Sequence, residues 1–193
     1  MTSSTTVARQ LCLHCGLCCN GVLFKDVELQ PGDDARSLLA LGLPLIDRSR
    51  RRKTGQTPAL DQSPAAPAAV KFPQPCAALC ADNRCRIYAE RPTRCRDFEC
   101  ALFKSVAAGE TELPAALRTV RTTRQRAAKV RGLLVALGDT DESLALSLRF
   151  KRARRRMESA AVDDTTAETY ADLTMAVHHL NLSLAQNFYP HPQ

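Results

Sequence analysis

Four thiols fall within eight residues, Cys12-Leu-His-Cys15-Gly-Leu-Cys18-Cys19, and this density constrains the fold more than any other feature of the chain. A Cys-x-x-Cys loop brings two sulfurs to the ~3.8 Å separation that two ~2.3 Å Zn–S bonds require at a tetrahedral angle. Gly16 lets the chain turn sharply between them. Adjacent Cys18 and Cys19 leave the backbone in different directions, which favours more than one metal atom. The triplet Cys12, Cys15, Cys18 also matches the opening of a bacterial ferredoxin cluster motif. It departs from the Cys-x-x-x-Cys-x-x-Cys spacing of radical S-adenosylmethionine enzymes, and that class is excluded.

A second group follows at Cys76, Cys80, Cys85, Cys95 and Cys100, with none of the usual zinc-finger spacings. Arg84, Arg86, Arg91, Arg94 and Arg96 stand among these thiols; positive charge favours the thiolate and orients and neutralises sulfur. The chain has 9 cysteines, no Trp and only 5% aromatic residues, so something besides packing must hold part of it. The N-terminus lacks the apolar core of a signal peptide. The longest apolar run, Leu38 to Ile46, is interrupted by Gly42 and Pro44 and is under half of the ~20 residues that span a bilayer. These features predict a cytoplasmic protein with no membrane partner, and an odd number of thiols there speaks for metal ligation over disulfides.

The strings CLHCGLCC and PCAALC…CRIYAERPTRCRDFEC resemble the YkgJ-type cysteine-cluster family, a zinc- or iron-chelating domain with flagellin lysine N-methylases among its relatives. The matching positions are Cys12, Cys15, Gly16, Cys18 and Cys19, then Pro75, Cys76, Leu79, Cys85, Ile87, Tyr88, Arg91, Pro92, Cys95, Arg96, Phe98 and Cys100. The resemblance implies eight metal ligands, Cys12, Cys15, Cys18, Cys19, Cys76, Cys85, Cys95 and Cys100, holding zinc or iron, the latter as an iron–sulfur cluster, in a structural or a redox or group-transfer role. It also implies that the two groups converge on one site. Cys80 is left over as a free thiol. Lysine methyl transfer using the cluster is the enzymatic alternative; with no Gly-x-Gly-x-x-Gly loop in the chain, whether it is an enzyme stays open.

The fold expected is mainly α: a small cysteine-rich metal-binding domain with short extended segments, followed by an antiparallel helical appendage. Residues 1–11 read as a flexible N-terminus, 12–100 as the cysteine domain with a loop or insertion at 47–68, 101–188 as the helical region and 189–193 as a tail. Val22 to Leu29 and Ala69 to Phe72 read as extended, and Asp33 or Asp34 as the cap of a short helix through Ala40. Beyond Cys100 the punctuation predicts helices near 101–108, 113–137, 139–157 and 166–187, with Pro114 opening the second and Asp139 and Glu142 capping the third. The second presents one apolar stripe, Leu113, Leu117, Val120, Ala127, Val130, Leu134 and Leu137, with Arg124 alone in it.

The formal charge is +7, spread over both halves of the chain. A basic stretch from Arg149 to Arg156 offers a second class of function, binding of nucleic acid or an acidic protein partner. Aromatic interleaving is missing and Glu158, Asp163, Asp164 and Glu168 follow closely, which disfavours nucleic acid.

Overall fold

The computed structural model describes residues 2–47, 70–159 and 163–189. Most of the 47–68 insertion, with the basic run of residues 48–53, lies outside the described residues. In chain order the elements are α1 (Thr2–Cys15), β1 (Asp26–Glu28), α2 (Ala35–Ala40), β2 (Ile46–Asp47), β3 (Val70–Pro73), α3 (Thr93–Asp97), α4 (Ala101–Ala107), α5 (Leu113–Ala136), α6 (Leu146–Ser159) and α7 (Asp164–Asn187). The mainly α class with a small preceding sheet is as expected.

The sequence offers no helix signal over residues 1–11, but the chain is helical from Thr2 to Cys15. The reason is tertiary: Ala8, Leu11 and Cys15 recur at helical spacing and are all buried in the core. Asp34 caps α2 by accepting from Ser37 N at 3.0 Å. β3 is the central strand of an antiparallel sheet ordered β1-β3-β2, with Val27 opposite Phe72 and Ile46 opposite Lys71. Val27 and Phe72 turn inward, and the ion pair of Lys71 with Asp26 lies on the same two strands.

Two clusters of buried side chains result. The larger runs from Leu11 and Leu17 through Phe103, Val130 and Leu134 to Leu173, Leu184 and Phe188; the smaller holds Val27, Leu38, Leu43, Phe72, Ala78 and Ile87 under the sheet. α5 and α7 are antiparallel, since Thr123 meets Ser183 while Arg126 meets the carbonyl of His179. The buried line of α5 is Ala116, Val120, Thr123, Ala127, Val130 and Leu134. It passes one position before Arg124, whose guanidinium reaches the carbonyl of His14 at the end of α1 instead.

The third long helix starts at Leu146, not at Asp139. Asp139 is buried beneath α6 and receives Arg149 at 3.0 Å, Arg152 at 2.7 Å and Arg156 at 3.5 Å. Arg149 is 1% exposed, and Arg154 is paired with Glu158. Of the six cations from Arg149 to Arg156, four are thus paired with carboxylates of this chain, which weighs against the reading of the stretch as a surface for nucleic acid or an acidic partner, and Lys151 and Arg155 stay exposed. No helix among the described residues is long and apolar enough to cross a membrane.

Candidate functional site: a cysteine-lined cavity

The cavity of interest has a volume of about 710 Å³ and opens where the two cores meet. Leu11 and Leu23 line it from the larger core, Val27, Leu43, Phe72 and Ile87 from the smaller. Cys12 and Cys15 come from the last turn of α1, Cys18 and Cys19 from the turn after it, Cys76 and Cys85 from the loops after β3, Cys95 from α3 and Cys100 from the cap of α4. All eight line this one cavity. The long intervening segment is closed by a backbone bond between neighbours of the two groups, Cys76 N donating to Cys19 O at 2.8 Å.

Gly16 is needed where it stands. Its φ is +67°, and a Cβ there would come within 2.9 Å of the Asn83 Cβ. This contact brings the Cys80–Cys85 loop against the turn that carries Cys18 and Cys19. On that loop, Asn83 itself takes φ 68°, a conformation Asn tolerates better than most residues.

Electrostatically the thiols fall into two sets of four. Burial pushes Cys12 up to about 11 and Cys15 up to about 12, and both are raised further by Cys100; Cys18, pushed well up by burial, feels Cys15, Cys19, Cys100 and Cys12. In the second set burial raises Cys19, which then feels Cys76, Cys95 and Cys85, and raises Cys95 to about 12, with Cys76 and Cys85 adding to it. Burial also raises Cys76, Cys85 and Cys100. Cys100 Sγ accepts from Phe103 N and Cys76 Sγ from Ala78 N, each at 3.4 Å.

The expected effect of the arginines is reversed in sum. Arg91 lowers Cys12, Cys85 and Cys95, but desolvation outweighs it in each case. Its guanidinium lies over the Tyr88 ring at 3.8 Å and donates to the carbonyls of Tyr88 and Cys95. Arg86 is tied to the Leu41 carbonyl and Arg84 to Asp82. Burial thus favours the thiol over the thiolate at all eight, and all nine cysteines are free.

A family model described as "CxxCxxCC: Putative zinc- or iron-chelating domain" matches residues 11–125, more than half of the chain. The chain belongs to this family. The match runs past Cys100 into α5, beyond the segment that carries the motif. No curated protein and no solved structure matches the chain.

The name CxxCxxCC is written out in Cys12, Cys15, Cys18 and Cys19, yet the metal that the family's description implies does not fit the arrangement. Among the described residues no group of three or more His, Cys, Asp or Glu side chains is placed to hold a metal ion. A zinc site needs its sulfurs ~2.3 Å from a single point; here they line the walls of a cavity of ligand size. This overturns the expected zinc, iron or iron–sulfur centre on eight cysteines, the metal as partner, and the methyl transfer that was to use the cluster. His14, between Cys12 and Cys15 in the sequence, is exposed and does not line the cavity.

Sequence reasoning overlooked Gln74. It lines the cavity and is 2% exposed, and its Oε1 has no hydrogen-bond partner among the described residues. A polar residue between Pro73 and Pro75 carries no pattern that would have singled it out.

Proposed function

We propose that this chain binds a small, neutral aromatic ligand bearing an N–H or O–H donor, and that the eight cysteines of the cavity are the walls of that site. The observation that carries this reading is the buried, unpartnered Gln74 Oε1, because an acceptor denied water costs about 1–3 kcal/mol until a donor meets it. The volume of about 710 Å³ lies in the ~300–1,000 Å³ range of small-molecule sites. Protonated thiols add polarisable sulfur, which favours the edges and faces of aromatic rings, and they add no charge. Nine free thiols suit a reducing compartment, and we place the protein in the cytoplasm on that ground.

Indole and indene test the reading, since they share a shape and differ in the N–H. Titration calorimetry under reducing conditions should find indole tighter by roughly tenfold, the value of one hydrogen bond, and Gln74→Leu should bring the two together. Bound indole should also slow iodoacetamide alkylation of the eight cavity thiols while leaving Cys80 reactive. Absence of binding by both compounds at millimolar concentration, with no protection of the thiols, overturns the proposal.

A further inference from the structure

A second concavity, of about 840 Å³, lies between α5 and the loop around Cys80. Arg121, Arg124 and Arg131 line it, at positions i, i+3 and i+10 of α5, with Ala128 at i+7 leaving room between them. They therefore form one stripe along the helix. Arg124 Nη1 donates to the His14 carbonyl at 3.4 Å and Arg131 Nη2 to the Asn20 carbonyl at 3.1 Å. These bonds fix the guanidinium groups against the end of α1 and the turn that follows it, and they supply no negative charge.

Among the described residues no carboxylate is paired with any of the three. Asp82, the acidic residue of the groove lining, is engaged by Arg84 through its backbone N at 3.0 Å and its Nε at 3.6 Å. Burial lowers the proton affinity of Arg131, with Arg149 and Arg124 adding to it and Glu142 opposing. Like charges are thus held together in a half-enclosed groove. The remaining walls include Leu79, Leu117, Val120 and His14.

We infer that this groove is a binding site for a small polyanion carrying two or more linked phosphate groups. Guanidinium forks match phosphate oxygens in a bidentate manner, and an anion would relieve the repulsion among the three cations. Recognition rests on the phosphates, the groups that the three guanidinium forks match. The site is separate from the cysteine cavity and does not depend on what that cavity binds.

Titration calorimetry of the full chain with inorganic tripolyphosphate at low ionic strength should give saturable 1:1 binding. R121Q/R124Q should weaken it roughly thirtyfold or more, whereas K151Q/R155Q, an equal loss of charge at exposed positions of α6, should change it less than about threefold. ATP should bind within about threefold of tripolyphosphate. Circular dichroism checks the fold of each variant, and if the double variant is unfolded, R121Q alone, at an exposed position, should still weaken binding about fivefold. No saturable binding overturns the inference, as does an equal loss in both double variants or binding of ATP without tripolyphosphate.

Discussion

Asp139 gathers more of the charge in the C-terminal half than any other residue. It is 2% exposed and accepts from Arg149 Nε and from Arg152 Nε and Nη2, with Arg156 3.5 Å away. Removing it leaves Arg149 buried with only the Asp139 backbone carbonyl as acceptor, so Asp139→Ala should cost about 3–5 kcal/mol in denaturant unfolding. A cost under about 1 kcal/mol would mean that the pair is no more than a surface contact. The hydrogen bonds from Arg152, then those from Arg149, hold this carboxyl below the ordinary range. A depressed folded value gives stability that is present above the unfolded pKa of ~3.9 and is lost as pH falls through the lowered one. Stability should therefore fall below about pH 4, and less steeply in Asp139→Asn, as acid titration followed by circular dichroism would read. The sequence named both Asp139 and the arginines but misassigned them, because a cap and a buried counter-ion draw on the same residue types. The distinction rests on burial.

At the scale of elements, the buried side chains of α5 and α7 are apolar except for Thr123 and Ser183, whose hydroxyls meet at 2.8 Å. Thr123 Oγ1 also donates to the Thr119 carbonyl at 2.9 Å, so the Ser183 hydroxyl supplies the bridging proton. Thr123→Val should cost about 1–2 kcal/mol by stranding Ser183, and Thr123→Val with Ser183→Ala should cost clearly less than the two single changes together. Strict additivity in that cycle would show that the hydroxyls do not interact. Apart from the start of α6, helix positions along the C-terminal half were legible to within a few residues because Pro114, Gly109 and Gly138 punctuate them locally. The rotation of α5 was not. Counting apolar residues put Arg124 in the stripe, whereas the structure buries Thr123, a small polar residue that a hydrophobic count discards and that needs its partner 60 residues away. α1 escaped notice for a related reason: its polar, Ser/Thr-rich start has weak propensity, and α4 and α5, not α1 itself, supply what buries Ala8 and Leu11.

Across the whole molecule, the cysteine segment and the helices are bound together by the core and by backbone. Leu146 N donates to Gly21 O at 2.9 Å, Ala101 N to Phe188 O at 3.2 Å, and Arg131 reaches Asn20 O. A Cβ on Gly21, whose φ is +77°, would meet Ala145 Cα at 3.0 Å, so the approach of α6 to the cysteine turn leaves no room for a side chain. The larger core is continuous from Ala8 to Phe188, and Cys15 and Cys100 are part of it. The proximity of Cys12 to Cys19 was legible because their motif is written in local spacing; the cavity was not, since Cys76 to Cys100, Gln74 and the α5 groove acquire meaning only from residues far away in sequence. A chain ending after Cys100 would lose α4, α5 and α7 and uncover Leu11, Leu17 and Leu23, leaving the smaller core of Val27, Leu38, Leu43, Phe72, Ala78 and Ile87 as its only complete cluster among the described residues. At ~25 cal/mol per Å² of apolar surface, six such side chains offset little of the ordering entropy of about a hundred residues. The fragment of residues 1–100 should therefore show a collapsed proton–nitrogen NMR spectrum and rapid alkylation of Cys15 and Cys100, the two thiols that the full chain buries. A dispersed spectrum from the fragment, with those two thiols still shielded, would show that the cysteine segment folds without the helices.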